Sequence, residues 1–219
     1  MITTIAPCSD LIFGSYSRSI CSMDPLKKAR IWASILGVVP SVTSIFLSGS
    51  RATNKDNSDS DIDFFIIVKP GRIWTARFFV FLLLKSTGQL AKPKKHKMKI
   101  CPNHFITADA LSIREKDGYA AHMFSQNCPL YDPQNIYSLF KEQNTWVALF
   151  GEHFPPTTPS SFTLRKSRKS CMESLLKRIQ RRKILKNTDY QTRDHCIILK
   201  DYELRFHPVP KNQFYSPEA

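Results

Sequence analysis

The sequence predicts an α/β (α+β) fold, a sheet covered by helices with a helical extension toward the C-terminus. Three observations lead there. Val42 to Leu47 and Phe64 to Val68 are apolar, mostly β-branched or aromatic runs of strand length, bounded by Gly, Asn, Asp and Ser, as in strands covered on both faces. Apolar residues at spacings of three and four precede and follow these runs. A Pro/Ser/Thr-rich stretch then gives way to a basic amphipathic segment. With 219 residues, of which 42% are apolar, the chain is long enough for one real core, which excludes a disordered polymer.

Residues 1–23 have no basic start followed by an apolar core, so they read as an irregular leader without a signal peptide. That points to a cytoplasmic, reducing location. Cys8, Cys21, Cys101, Cys128, Cys171 and Cys196 are scattered without zinc-finger spacing, so free thiols are expected. Asp24-Pro25 supplies an N-cap and a first-turn proline. Ala29, Ile31, Trp32, Ile35 and Leu36 then follow at helical spacing until Gly37. Trp32 reads as part of the apolar helix face.

The first strand delivers Gly49-Ser50, a polar loop runs to Ser60, and the second strand opens with Asp61-Ile62-Asp63. A strand's period of two puts Asp61 and Asp63 on one face and turns Ile62 into the core. Two carboxylates so close repel unless a cation sits between them, and hard oxygen donors suit Mg2+ or Mn2+. Gly49 permits a close backbone approach. A short helix opening at Arg51, with the Ser50 hydroxyl, would aim donors at a phosphate.

Gly49-Ser50, a loop of ten residues from Arg51 to Ser60, then Asp61-Ile62-Asp63 running into an apolar strand resembles the signature of the DNA polymerase β nucleotidyltransferase superfamily, in its small stand-alone branch. The resemblance implies a mixed sheet flanked by helices, an NTP (ATP first among them) on Gly49, Ser50 and Arg51, and two metal ions on Asp61 and Asp63. It also implies transfer of an NMP to a hydroxyl acceptor with release of pyrophosphate. Cys101-Pro102-Asn103-His104-Phe105, a turn at Pro129 to Tyr131, Asn144 to Val147 and Leu204 to Pro208 look similar to a loosely defined group of uncharacterised prokaryotic nucleotidyltransferase-domain proteins.

Downstream of Pro70-Gly71, Arg72 to Leu90 reads as a helix carrying the seven-residue apolar run Phe78 to Leu84. Seven residues fall far short of the ~20 that span a bilayer. Burial, a partner surface or contact with a membrane face stay open for it. Lys92 to Lys97 is a basic loop leading to a third strand, Met98 to Thr107, where the resembled family places a third acid. Here the strand holds none: Asn103 or Cys101 falls near that corner, depending on register. Asn103 can offer a carbonyl oxygen but cannot accept the acceptor's proton. Asp109 or Glu115 is the candidate substitute acid, and His104 is read either as a base or as a satisfied strand histidine.

Ser112 with Glu115 reads as a capping box before a helix lined by Tyr119, Ala120, Met123 and Phe124 and stopped at Cys128-Pro129. Asp132-Pro133 starts another helix, Ile136 to Phe150, ending at Gly151, with Asn144 and Trp146 in structural roles. The division expected is a leader at 1–23, the nucleotidyltransferase domain at 24–110, a helical lobe at 111–151, a linker at 152–162, and at 163–219 a basic helix with a C-terminal hairpin around Lys200-Asp201 and a tail.

The charge of +14 is local. Residues 163–186 carry ten Lys/Arg against Glu173, and Lys92 to Lys99 adds five Lys, which leaves the remainder neutral. RNA or an anionic surface is the partner this suggests for 163–186. Arg205 or His207 is a further possible phosphate contact. The activity expected is metal-dependent nucleotidyl transfer. Two other readings stay open: a catalytically silent nucleotide- or RNA-binding module, and an antitoxin-like partner protein.

Overall fold

The computed structural model describes residues 24–52, 60–92, 96–164, 170–186 and 195–208. The leader, the loop 53–59, residues 93–95, the start of the basic arm at 165–169, residues 187–194 and the tail after Pro208 lie outside them.

Pro25–Gly37 forms α1, with the Asp24 carboxylate accepting from the Leu26 N–H at 3.0 Å. Its buried residues are Ala29, Ala33 and Leu36, whereas Ile31 and Ile35 are 43% and 36% exposed. The small alanines let the helix come close to the sheet, which turns the two isoleucines outward. Trp32 packs, partly buried, against the same core.

Val42–Ser48 (β1) pairs antiparallel with Ile62–Val68 (β2), from Val42 opposite Val68 to Ser48 opposite Asp63. Every residue of β1 is buried, as expected for a strand covered on both faces. Ile73–Ser86 (α2) then carries the chain across to Ile100–Thr107 (β3), which runs parallel to β2. A parallel neighbour requires such a crossover. Period 3.6 splits the apolar run of α2: Val80 and Leu84 are buried, while Phe78, Phe79 and Leu82 stand at the surface. Among the described residues no helix is long and apolar enough to cross a membrane.

The helix expected from Ser112 begins later. Gly118–Ser125 forms α3, capped by the Asp117 carboxylate on the Ala120 N–H at 2.7 Å. Asp117 wins because it stands directly before the helical residues and its oxygen reaches the N–H of the third of them, while Ser112 is exposed in irregular chain. Cys128–Tyr131, expected as a stop and a turn, is β4, an edge strand antiparallel to β1. Pro129 is tolerated there because an edge strand leaves one row of N–H groups unpaired.

The next helix, Ile136–Gln143 (α4), starts on the Asp132 carboxylate, which accepts from the Ile136 and Tyr137 N–H groups at 2.8 and 2.9 Å. It breaks at Asn144 and continues as a 3-10 stretch, Thr145–Phe150. The break is specified: Asn144, fully buried, accepts from the Ile113 N–H and the Trp146 indole and donates to the Leu111 and Phe140 carbonyls. Its role is structural. The expected linker is tied down as well, since Glu152 accepts from Ser125, Lys141 donates to the Pro155 carbonyl, and Phe154 and Phe162 pack on the core beneath.

Cys171–Leu185 (α5) lies on α2, and His195–Leu199 (β5) with Glu203–Pro208 (β6) makes the expected hairpin. β6 also pairs with β3, so the sheet is six-stranded and mixed, in the order β4-β1-β2-β3-β6-β5. One face carries α1, α2 and α5 over Ile62, Phe64 and Ile66. The other carries α3, α4 and the 3-10 stretch over Phe46, Phe65 and Ile67.

Candidate functional site

The C-terminal end of β1 meets the N-terminal ends of β2 and β3, and the expected site residues gather there. β1 ends in a three-residue 3-10 turn, Gly49–Arg51, in place of the α-helix opening at Arg51. A turn that short contributes little dipole, so anion binding at a helix N-terminus drops out. Gly49 has φ +73°, and a Cβ built on it would run into the carboxylate of Asp63. The close approach that Gly49 permits is therefore to Asp63 itself. The side chain of Ser50 lies outside the described structure. Arg51 turns back onto the loop, its Nε donating to the Asp61 carbonyl at 2.7 Å and an Nη to the Ser60 carbonyl at 2.6 Å. It thereby fixes the backbone that presents Asp61.

Asp61 and Asp63 lie on one side, with Ile62 fully buried between them. Asp63 shares its strand face with Phe65 and Ile67, so the pair opens toward the α3/α4 side of the sheet. Burial above all, then the neighbouring Asp61 charge, raises the Asp63 carboxyl to about 7, against a hydrogen bond with Cys101 and the charge of Arg51.

The register decides the third corner. Asp63 lies beside Cys101, and the ladder then slips, so that Phe65 lies beside His104. Two residues on β2 thus oppose three on β3, a bulge of the kind that re-aims side chains beside functional sites. It brings both expected residues in. One ligand atom each from Asp61, Asp63 and Cys101 lies within 4.8 Å of the other two. Asn103 donates from Nδ2 to Asp63 Oδ1 at 2.6 Å, while its Oδ1 is buried without a hydrogen-bond partner among the described residues. The Cys101 thiol is held well above its usual range by burial first, and then by the Asp63 and Asp61 charges. The donor set fits a cation: two carboxylates and a sulfur converge, with the Arg51 charge alone beside them among the causes that favour the ionised Asp63. Sequence pattern leaves Cys101 and Asn103 as alternatives at this corner; the register of β3 beside Asp61-Ile62-Asp63 brings in both.

The other expected residues sit elsewhere. His104, 1% exposed, meets Glu203 at 3.1 Å and stacks near Phe65, the satisfied strand histidine. Arg205 is held by Glu115 at 2.5 Å and by Glu203 at 3.3 Å, which removes both Glu115 and Arg205 from the site. Asp109 sits in the turn after the far end of β3, roughly 20 Å along the strand from Cys101. The side chain of His207 lies outside the described residues.

The match to known proteins falls on this region. Residues 29–116 match the family model described as a nucleotidyltransferase domain. A crystal structure of a toxin-antitoxin with AMP-PNP is similar at 16% identity, covering 57% of this chain and 86% of that one, with a TM-score of 0.35. A toxin-antitoxin MntA-HpeT mutant is similar at 14% identity over the same shares, with a TM-score of 0.34. A search of curated proteins gives no match. Gly49, the acidic pair and the parallel β2–β3 step all lie inside the stretch that matches a nucleotidyltransferase domain.

Proposed function

We propose that this chain moves an NMP from an NTP to a hydroxyl acceptor. The observation that carries the reading is the gathering of Asp61 and Asp63 against Gly49 at one mouth of the sheet, inside the matched domain. In the reaction the acceptor oxygen bonds to the α-phosphorus, the bond to the β-phosphate bridge breaks, and pyrophosphate leaves with the electron pair. Divalent cations such as Mg2+ or Mn2+, when bound, would supply charge neutralisation for the attacking and leaving oxygens. Asp61 and Asp63 hold that charge in place, and one of them takes the acceptor's proton. Arg51 keeps the Asp61 backbone fixed.

The test is pyrophosphate release from each NTP with Mg2+ or Mn2+. Asp61→Asn and Asp63→Asn should each lower it by roughly 100-fold or more while circular dichroism stays unchanged. Release undiminished in the double variant overturns the reading.

A second reading, nucleotide binding without turnover, is favoured by one specific feature. Asn103 donates into the Asp63 carboxylate at the corner where the resembled family has an acid. NTP binding in equilibrium dialysis, with no pyrophosphate from any NTP, would select it. For a polyanionic partner such as RNA, the support is the outward flank of α5, where Lys177, Arg178, Arg181 and Arg182 line one shallow groove.

A further inference from the structure

The acidic pair has a sulfur neighbour, and that changes which cation the site prefers. We propose that Cys101, as thiolate, is the third ligand beside Asp61 and Asp63, so that the site selects a thiophilic divalent cation of the Zn2+ or Co2+ kind over Mg2+. This rests on reading the pair as a metal site; it does not require that transfer occur.

Three features carry it. Sγ of Cys101 and an oxygen of each aspartate share one cluster within 4.8 Å. The parallel register fixes Cys101 beside Asp63, and β3 is anchored on both sides by β2 and β6. Asn103, pinned through Nδ2 on Asp63, holds one oxygen of that carboxylate in place and leaves its own buried Oδ1 free of hydrogen bonds among the described residues. Mg2+ demands near-octahedral oxygen donors and sheds water reluctantly, whereas a mixed O/S set of three or four suits Zn2+ and Co2+. The step is not redox. The sulfur gives a lone pair to the cation, the S–H bond breaks, and its proton goes to the buffer.

The experiment uses the full chain, stripped by chelation and titrated with Co2+ alone. The expected result is a sulfur-to-cobalt charge-transfer band with visible bands of a four-coordinate ion. Stoichiometric Zn2+ should abolish both, and Mg2+ in about 100-fold excess should not. Cys101→Ser should lose the charge-transfer band and weaken Co2+ and Zn2+ by roughly 10- to 100-fold, with Mg2+ affinity nearly unchanged. In the unsubstituted chain, Zn2+ should also protect Cys101 from alkylation, read by peptide mapping, which keeps the idea testable if Cys101→Ser fails to fold. A band unchanged in Cys101→Ser, Co2+ binding without a band, no Zn2+ protection, or displacement of Co2+ by equimolar Mg2+ would each overturn it. The band together with no pyrophosphate from any NTP would keep this inference and sink the transferase reading.

Discussion

The carboxylate of Asp63 fills the space that a side chain on residue 49 would need. Gly49 is therefore required twice, by its φ of +73° and by the carboxylate lodged against its Cα. Gly49→Ala should destabilise the chain by about 1–2 kcal/mol from the backbone alone. Because Asp63 must also move, divalent-cation affinity by calorimetry should fall more than urea stability does. Equal cation affinity in the variant would refute the steric link.

α5 is docked by a cap it supplies to another helix. The Glu173 carboxylate accepts from the N–H groups of Trp74 and Thr75 at 2.8 and 2.9 Å and from the Thr75 hydroxyl at 2.6 Å. Gln180 adds bonds to the Trp74 carbonyl and from Arg77, both at 2.7 Å. Glu173→Ala leaves α2 without a capping acceptor and should cost about 2 kcal/mol in urea denaturation. Hydrogen exchange should rise at Trp74 and Thr75 first; unchanged protection there would count against the cap.

Acid should weaken the fold in two stages through His104 and Glu203. Burial holds His104 below its ordinary 6.5, outweighing the hydrogen bond and charge of Glu203. The unfolded chain thus takes a proton near pH 6.5 that folded His104 refuses, and stability falls as pH drops through that value. Burial pushes the Glu203 carboxyl up, but the His104 hydrogen bond and the charges of His104, Arg205 and Arg114 outweigh it and hold it below 4.5. Its stabilisation is present above pH 4.5 and is lost as pH falls through the lowered value. Because the raised Asp63 carboxyl gains stability over the same range, the test is a difference: urea midpoints relative to His104→Gln should fall from pH 7.5 to 5, and relative to Glu203→Gln should fall further toward pH 4. A flat difference between pH 7 and 5 would contradict the first stage.

The basic flank of α5 is separable from its buried face of Leu176, Gln180 and Ile184. Arg181→Glu with Arg182→Glu should leave thermal stability within about 0.5 kcal/mol. If RNA is the partner, the same pair should weaken binding of a labelled single-stranded RNA and flatten its salt dependence by roughly one to two counterions. Unaltered anisotropy titrations would move the partner surface elsewhere.

Much of the architecture was legible because local rules and tertiary demands agreed. The runs at 42–47 and 64–68 are apolar on both faces, and Asp24-Pro25 and Lys200-Asp201 carry a cap and a turn within a few residues. Pattern failed where side chains distant in sequence decide. Asn144 breaks α4 through partners at Leu111 and Ile113, and Pro129 joins β1 as an edge strand because a neighbour was waiting for it. The same holds for Glu152 to Phe162, whose linker-like composition conceals its ties to α3 and α4.

By itself the sequence determined the sheet's central strands, the acidic pair on one strand face, and the glycine before it, since each follows from spacing along a few residues of chain. The identity of the third corner was decided only by tertiary structure. Which of Cys101 and Asn103 meets Asp63 depends on the register of two strands joined through α2, and a one-residue bulge brings both. Inter-strand register is set by packing across the whole sheet, and no local spacing encodes it.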